Sequence, residues 1–165
     1  MADLTVLESK LAEVTGLAEA AQGATEKVQR MLDDDERDLA SELERMREEA
    51  RETAERCAKV ASELDGKKTA IVEKAREVKQ EATEMMQTYL EGEDHALDGF
   101  EFLTMAEAGE VGHWRIVEKL NESAGFPVFD ELARWALPIQ ERHLEDVLRG
   151  SLVLAAREDP NEIEE

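Results

Sequence analysis

Two short runs of the chain carry side chains that could do chemistry together. The first is Glu107-Ala108-Gly109-Glu110, followed by His113 and Trp114. The second is Gln140-Glu141-Arg142-His143. Between them, Ser123-Ala124-Gly125-Phe126-Pro127 makes a break. Ahead of the break, Phe100, Leu103, Glu107, Glu110, Trp114 and Val117 advance in alternating steps of three and four, one face of a helix. After it, Leu132, Ala136, Gln140, His143 and Val147 make a similar stripe. Acidic, amide and imidazole groups thus occupy positions where a core is expected. A short turn makes the two helices antiparallel neighbours. Pairing them about Gly125 sets Glu107 level with His143, and Glu110 level with Gln140.

The chemistry follows from the cost of such an arrangement. A carboxylate out of water is expensive unless it is paired or bound to a metal. Two side by side repel, so one takes up a proton or a cation lies between them. Carboxylate with imidazole suits iron, manganese or zinc. The alternative is a rotated pair of helices that leaves the glutamates solvated, since Glu pairs three apart are common by chance in a chain with 41 acidic residues.

Glu107-x-x-Glu110 followed by Gln140-x-x-His143 resembles the second half of a ferritin-like bundle, and more narrowly that of rubrerythrin-like and stress-associated ferritin-like bacterial proteins. The resemblance is best over residues 93–156. It implies an all-α fold, a ferritin-like antiparallel four-helix bundle with an extra helical segment between the two helix pairs. It also implies metal ligands at Glu107, Glu110 and His143, with Gln140 a weaker ligand or a supporting group, and iron or manganese as cofactor. Iron handling or an oxidative-stress role goes with it. Gln140 stands where that family has a glutamate. The first half lacks a Glu-x-x-His, since the histidines are His95, His113 and His143, so the expected carboxylate/histidine metal site is partial or degenerate. Glu19 and Glu52 repeat the spacing of Glu107 and Gln140 and are weaker candidates, as is His113. The expected apolar stripe of the second helix (Leu39, Leu43, Met46, Ala50, Thr53, Cys57, Val60, Leu64) carries no glutamate. No Cys-x-x-Cys module for electron transfer is present. A metal-free helical scaffold or dimerisation module without catalytic activity is the other reading, and a homodimer is expected in either case.

The elements that must position these groups are helices. Leu4, Leu7, Leu11, Val14, Ala18, Ala21, Thr25, Val28 and Leu32 form a heptad seam over about residues 3–32. Gly16 and Gly23 weaken it and invite a close neighbour. Asp33-Asp34-Asp35 reads as a turn whose acids favour the next helix start. A second helix is expected over 35–64, ending at Gly66, and a third over 67–90. The fourth is expected over 94–122, from Asp94, with His95 exposed in its first turn. Gly92 leaves a continuous helix through this point open. The fifth is expected over 128–157, with Pro138 bending it. Residues 1–157 read as one domain and 158–165 as an acidic disordered tail.

Composition bounds the rest. The chain has 165 residues, enough for a real core. With 4% aromatic and 37% charged residues and three prolines, it reads as all-helical rather than β-rich. A net charge of −21 argues against nucleic acid and against an anionic membrane surface, both of which need basic partners. Cys57 is the single cysteine and lies on the apolar stripe, so a buried core thiol is expected. The amino terminus has no basic region followed by an apolar run, and no apolar stretch approaches about 20 residues. A cytoplasmic protein without a membrane span is the expectation.

Overall fold

The computed structural model describes residues 2–164, which form five α-helices and, among the described residues, no strand. They are α1 (Val6–Gln29), α2 (Arg37–Glu63), α3 (Lys68–Tyr89), α4 (Ala96–Ala124) and α5 (Pro127–Ala155). The helices end two or three residues inside the expected limits at several points, because terminal turns close as single turns rather than as helix. Residues 90–95 separate α3 from α4, so a continuous helix through Gly92 does not form.

Local chemistry explains the boundaries. Thr5 and Glu8 make a reciprocal capping box at the start of α1. Asp94 does not cap α4. His95 takes that position, and its Nδ1 accepts from the Leu97 N–H at 3.2 Å. The turn between α4 and α5 is closed from both sides. Gly125 ends α4 in the left-handed conformation, φ 71°. Asn121 donates to the Phe126 carbonyl at 3.0 Å and accepts from the Phe126 N–H at 3.1 Å. Pro127 then opens α5, where a missing N–H costs nothing. This turn fixes the register of the two helices that carry the candidate residues. α5 runs unbroken through Pro138, whose side is exposed, so the carbonyl it frees can meet water.

Neighbouring helices pack α1 on α2, α2 on α5, α5 on α4 and α4 on α1, with α3 outside, against α1 and the edge of α2. The α4–α5 contacts are antiparallel: Phe100 meets Gly150, Thr104 meets Ser151, and Arg115 meets Glu141. α3 lies close on α1 because Gly16 has no side chain: a Cβ there would come within 2.4 Å of the Ala75 carbonyl. No close neighbour faces Gly23.

The core is split in two. One apolar cluster contains Leu7, Leu11, Cys57, Trp114, Val117 and Phe129. The other contains Val28, Leu43, Met46, Phe100, Leu103 and Val147. Each large side chain buried in them contributes about 1.5–3 kcal/mol. Between the two clusters α4 presents Glu107 and Glu110, and α5 presents Gln140 and His143. All four are buried. The two apolar clusters are therefore separated by a layer in which two acids, an amide and an imidazole meet.

Candidate functional site

Glu107 and Glu110 face inward on α4 because each falls on the stripe that continues through Phe100, Leu103, Trp114 and Val117, all of them buried. Gln140 and His143 face inward on α5 for the same reason. The antiparallel register brings the four together. The Gln140 Nε2 amide donates to Glu107 Oε2 and, at 2.9 Å, to Glu110 Oε2. His143 Nδ1 lies 3.8 Å from Glu107 Oε2, too far for a hydrogen bond.

The other side of the imidazole meets a residue that lies off the apolar stripes. His143 Nε2 lies 3.2 Å from Oε1 of Glu49 on α2. The Arg142 guanidinium donates to the other oxygen of Glu49, and Arg45 Nε lies 3.8 Å from the first. Glu49 is the first-half carboxylate of this layer. It lies one position before Ala50, beside the apolar stripe rather than on it, and is only partly buried. A signal for it does exist in the chain. Glu42, Arg45 and Glu49 on α2 meet Arg149, Asp146 and Arg142 on α5, each set in steps of three and four, with opposite signs and opposite chain direction. That charge ladder matches the α2–α5 register in which Glu49 meets His143.

The electrostatics of the two carboxylate groups run in opposite directions. Burial pushes the Glu110 carboxyl well above the usual carboxylate range. The Glu107 charge and a carboxyl–carboxyl hydrogen bond add to this, and the Gln140 amide opposes it. Glu49 also pays a burial penalty, but its bonds from Arg142 and His143 outweigh it and hold that carboxyl below its ordinary value.

The remaining candidates lie apart from the layer. Glu52 is exposed and pairs with Arg56 at 3.2 Å. Glu19 is partly buried on α1 and adds its charge near Cys57. His113 lies one turn beyond Gly109, with Nδ1 2.8 Å from the Gly109 carbonyl and Nε2 3.7 Å from Glu13 Oε2. His95 is 3.0 Å from Glu158 at the far end of the molecule. The Cys57 thiol is fully enclosed, and burial pushes it up to about 12. It is a packing group, not a nucleophile.

An apolar cleft of about 350 Å³ reaches the layer from outside. It lies between α1, α3 and α4, with Ala21, Ala24, Met86 and Gly109 among its walls and Glu107 and Glu110 at its polar end. Three ligand atoms of separate acidic or imidazole side chains lie within 4.8 Å of one another at one place among the described residues, Asp33, Asp35 and Glu36. In the middle layer the ligand atoms form a chain of contacts rather than one closed group. No helix among the described residues is long and apolar enough to cross a membrane. Comparison with known proteins finds no matching family model, no matching curated protein and no matching solved structure.

Proposed function

We propose that this chain is a ferritin-like helical-bundle protein that holds a transition-metal ion, iron or manganese, in its polar middle layer. The observation that carries the reading is the disposition of the His143 ring. Where Glu49 accepts from Nε2 of the neutral ring, the Nδ1 lone pair is turned towards a Glu107 oxygen 3.8 Å away. Two electron-rich atoms at that spacing call for a positive charge between them, and the spacing is that of two ligands of one ion rather than of a hydrogen bond. A carboxylate behind the imidazole is also the usual support for a metal-bound histidine, because it fixes the tautomer and strengthens the ligand.

The donor set fits such an ion in kind. Glu107, Glu110 and His143 offer two carboxylates and an imidazole, with Glu49 held in place behind the ring by Arg142. It fits only with adjustment in position, since the three ligand atoms do not all close on one point, and the Gln140 amide nitrogen occupies the space between the glutamates. Rotating that amide presents an oxygen in place of the nitrogen. Bound iron would supply one-electron redox chemistry, and the cleft ending on Glu107 and Glu110 gives a small solute a route to it.

A second reading has its own support. Gln140 bonds both glutamates, and a proton on Glu110 completes the set without any ion. The layer is then a metal-free device that fixes helix register, and the chain is a scaffold or dimerisation module. The exposed Leu148 and Leu152, four apart on α5, offer such a module a contact face.

Elemental analysis of protein purified without chelator separates the two. The metal reading expects about one iron or manganese ion per chain, lost in Glu107→Ala and in His143→Ala. Protein that is free of both metals and takes up neither from a buffered solution sinks it.

A further inference from the structure

A second polar group lies far from the middle layer, at the turn between α1 and α2. Residues Asp33 to Glu36 fold as a tight turn, with the Glu36 N–H donating to the Asp33 carbonyl at 3.0 Å. The turn brings one carboxylate oxygen from each of Asp33, Asp35 and Glu36 to within 4.8 Å of the other two. Asp33 and Asp35 are at the surface. Acidic trios of that kind are common and ask for no ligand.

Glu36 is different. Its residue is 92% buried, as its relative exposure is 8%. It is the N-cap of α2, a place where a side chain normally accepts from the first-turn amides, yet its carboxylate makes no such bond. One oxygen, Oε1, has only Arg157 Nη1, at 3.8 Å. The other, Oε2, is buried with no hydrogen-bond partner. A buried carboxylate that has one unsatisfied oxygen and lies beside two more carboxylates costs stability by lost hydration, lost hydrogen bonding and like-charge repulsion.

We propose that Asp33, Asp35 and Glu36 bind a hard divalent cation, Ca²⁺ in preference to Mg²⁺. The ligand atoms are all carboxylate oxygens, which selects against the softer metals. Two oxygens on one Ca²⁺ lie no more than about 5 Å apart, given its bond lengths, and the trio meets that limit. The ion then offsets the lost hydration of the Glu36 carboxylate and cancels the repulsion among the three acids. The group opens on a recess of about 370 Å³ that Asp94, His95 and Glu158 also line, so water has room to complete the coordination shell. Mg²⁺, which is smaller and gives up its water reluctantly, gains less from three carboxylates on a fixed turn. The bound ion joins the α1–α2 turn to the buried start of α2. This inference is independent of the middle-layer proposal, since it uses other residues, another region and another class of metal.

The test is thermal unfolding and calorimetric titration of the full chain, stripped with chelator, in CaCl₂ or MgCl₂ with ionic strength held constant by KCl. A Ca²⁺ site with a Kd of about 10⁻⁵–10⁻³ M is expected. Calorimetric binding should saturate, and Tm should rise by about 5–10 °C at a hundredfold excess over Kd. Mg²⁺ should need about tenfold more for the same rise. Glu36→Gln should abolish the rise, and so should Asp35→Asn, an exposed substitution that leaves folding intact. Glu110→Gln should leave it unchanged, which separates this site from the middle layer. A Tm that does not respond to Ca²⁺ beyond matched KCl, or a rise that survives both Glu36→Gln and Asp35→Asn, overturns the proposal.

Discussion

The two sides of the His143 ring hold carboxylates in unlike ways. On the α4 side, Glu107 and Glu110 are deep and close together, and beyond each other they are bonded to the neutral Gln140 amide. On the α2 side, Glu49 is shallower and meets a full positive charge on Arg142. The same side-chain type therefore behaves in opposite ways within one layer. Burial without a countercharge favours the protonated acid at Glu110. Burial with a guanidinium favours the anion at Glu49. The difference shows that depth alone does not decide the state of a buried acid; the charge of its partner does. It also shows where a cation is wanted, on the side that lacks one.

The largest effect is expected from removing the group between the two sides. His143→Ala removes one of the buried partners of Glu49 and opens a void between the two apolar clusters. It should cost about 2–4 kcal/mol of stability in denaturant unfolding. Arg142→Met tests the charged side alone. Its guanidinium is half exposed, so water takes over part of its role and the loss should be about 1 kcal/mol at neutral pH.

The pH profile of stability in chelator sharpens the contrast further. The Glu49 carboxyl titrates below its unfolded value of about 4.3, so its stabilisation is present above that pH. It is lost as pH falls through the lowered native value. Glu110 has the opposite sign. Its contribution is complete below about 4.3 and is lost as pH rises through the raised native value. Glu110→Gln keeps an amide donor for Glu107, so it should change stability at acidic pH by less than about 1 kcal/mol while removing the decline on the alkaline limb. Glu49→Gln should remove the acid-side loss instead. A profile unchanged by either substitution would contradict the assignment of the two limbs. The smallest effect is expected at Glu52, which has the right spacing but lies in solvent with Arg56. Glu52→Gln should stay within about 0.5 kcal/mol and leave metal content unaltered.

What the sequence made legible follows the same division. Glu107, Glu110, Gln140 and His143 interrupt apolar stripes, and an interruption of a 3.6-residue period is visible without a structure. The turn at Gly125 then gave their register, so the α4–α5 half of the layer could be placed in advance. Glu49 interrupts nothing. It lies at the border of the α2 stripe, in a run crowded with Glu and Arg, where its signal shows only once the charges of α2 are matched with those of α5. Its placement depends on how α2 packs on α5, a contact between elements far apart in the chain and lined by the reciprocal charges at 42, 45, 49 and 142, 146, 149. Glu36 was hidden for another reason. A helix-start acid looks ordinary in sequence, and only the packing of α5 and Arg157 around it shows an oxygen without a partner.

The central claim is that the uncompensated side of His143 takes a metal ion. Diffraction from crystals grown with Mn²⁺, recorded near the manganese absorption edge, tests it most directly. The account expects an anomalous peak within bonding distance of His143 Nδ1 and a Glu107 oxygen, with Glu49 still hydrogen-bonded behind the ring. Well-ordered density for Gln140 bridging both glutamates, with no anomalous peak in the layer, would contradict it.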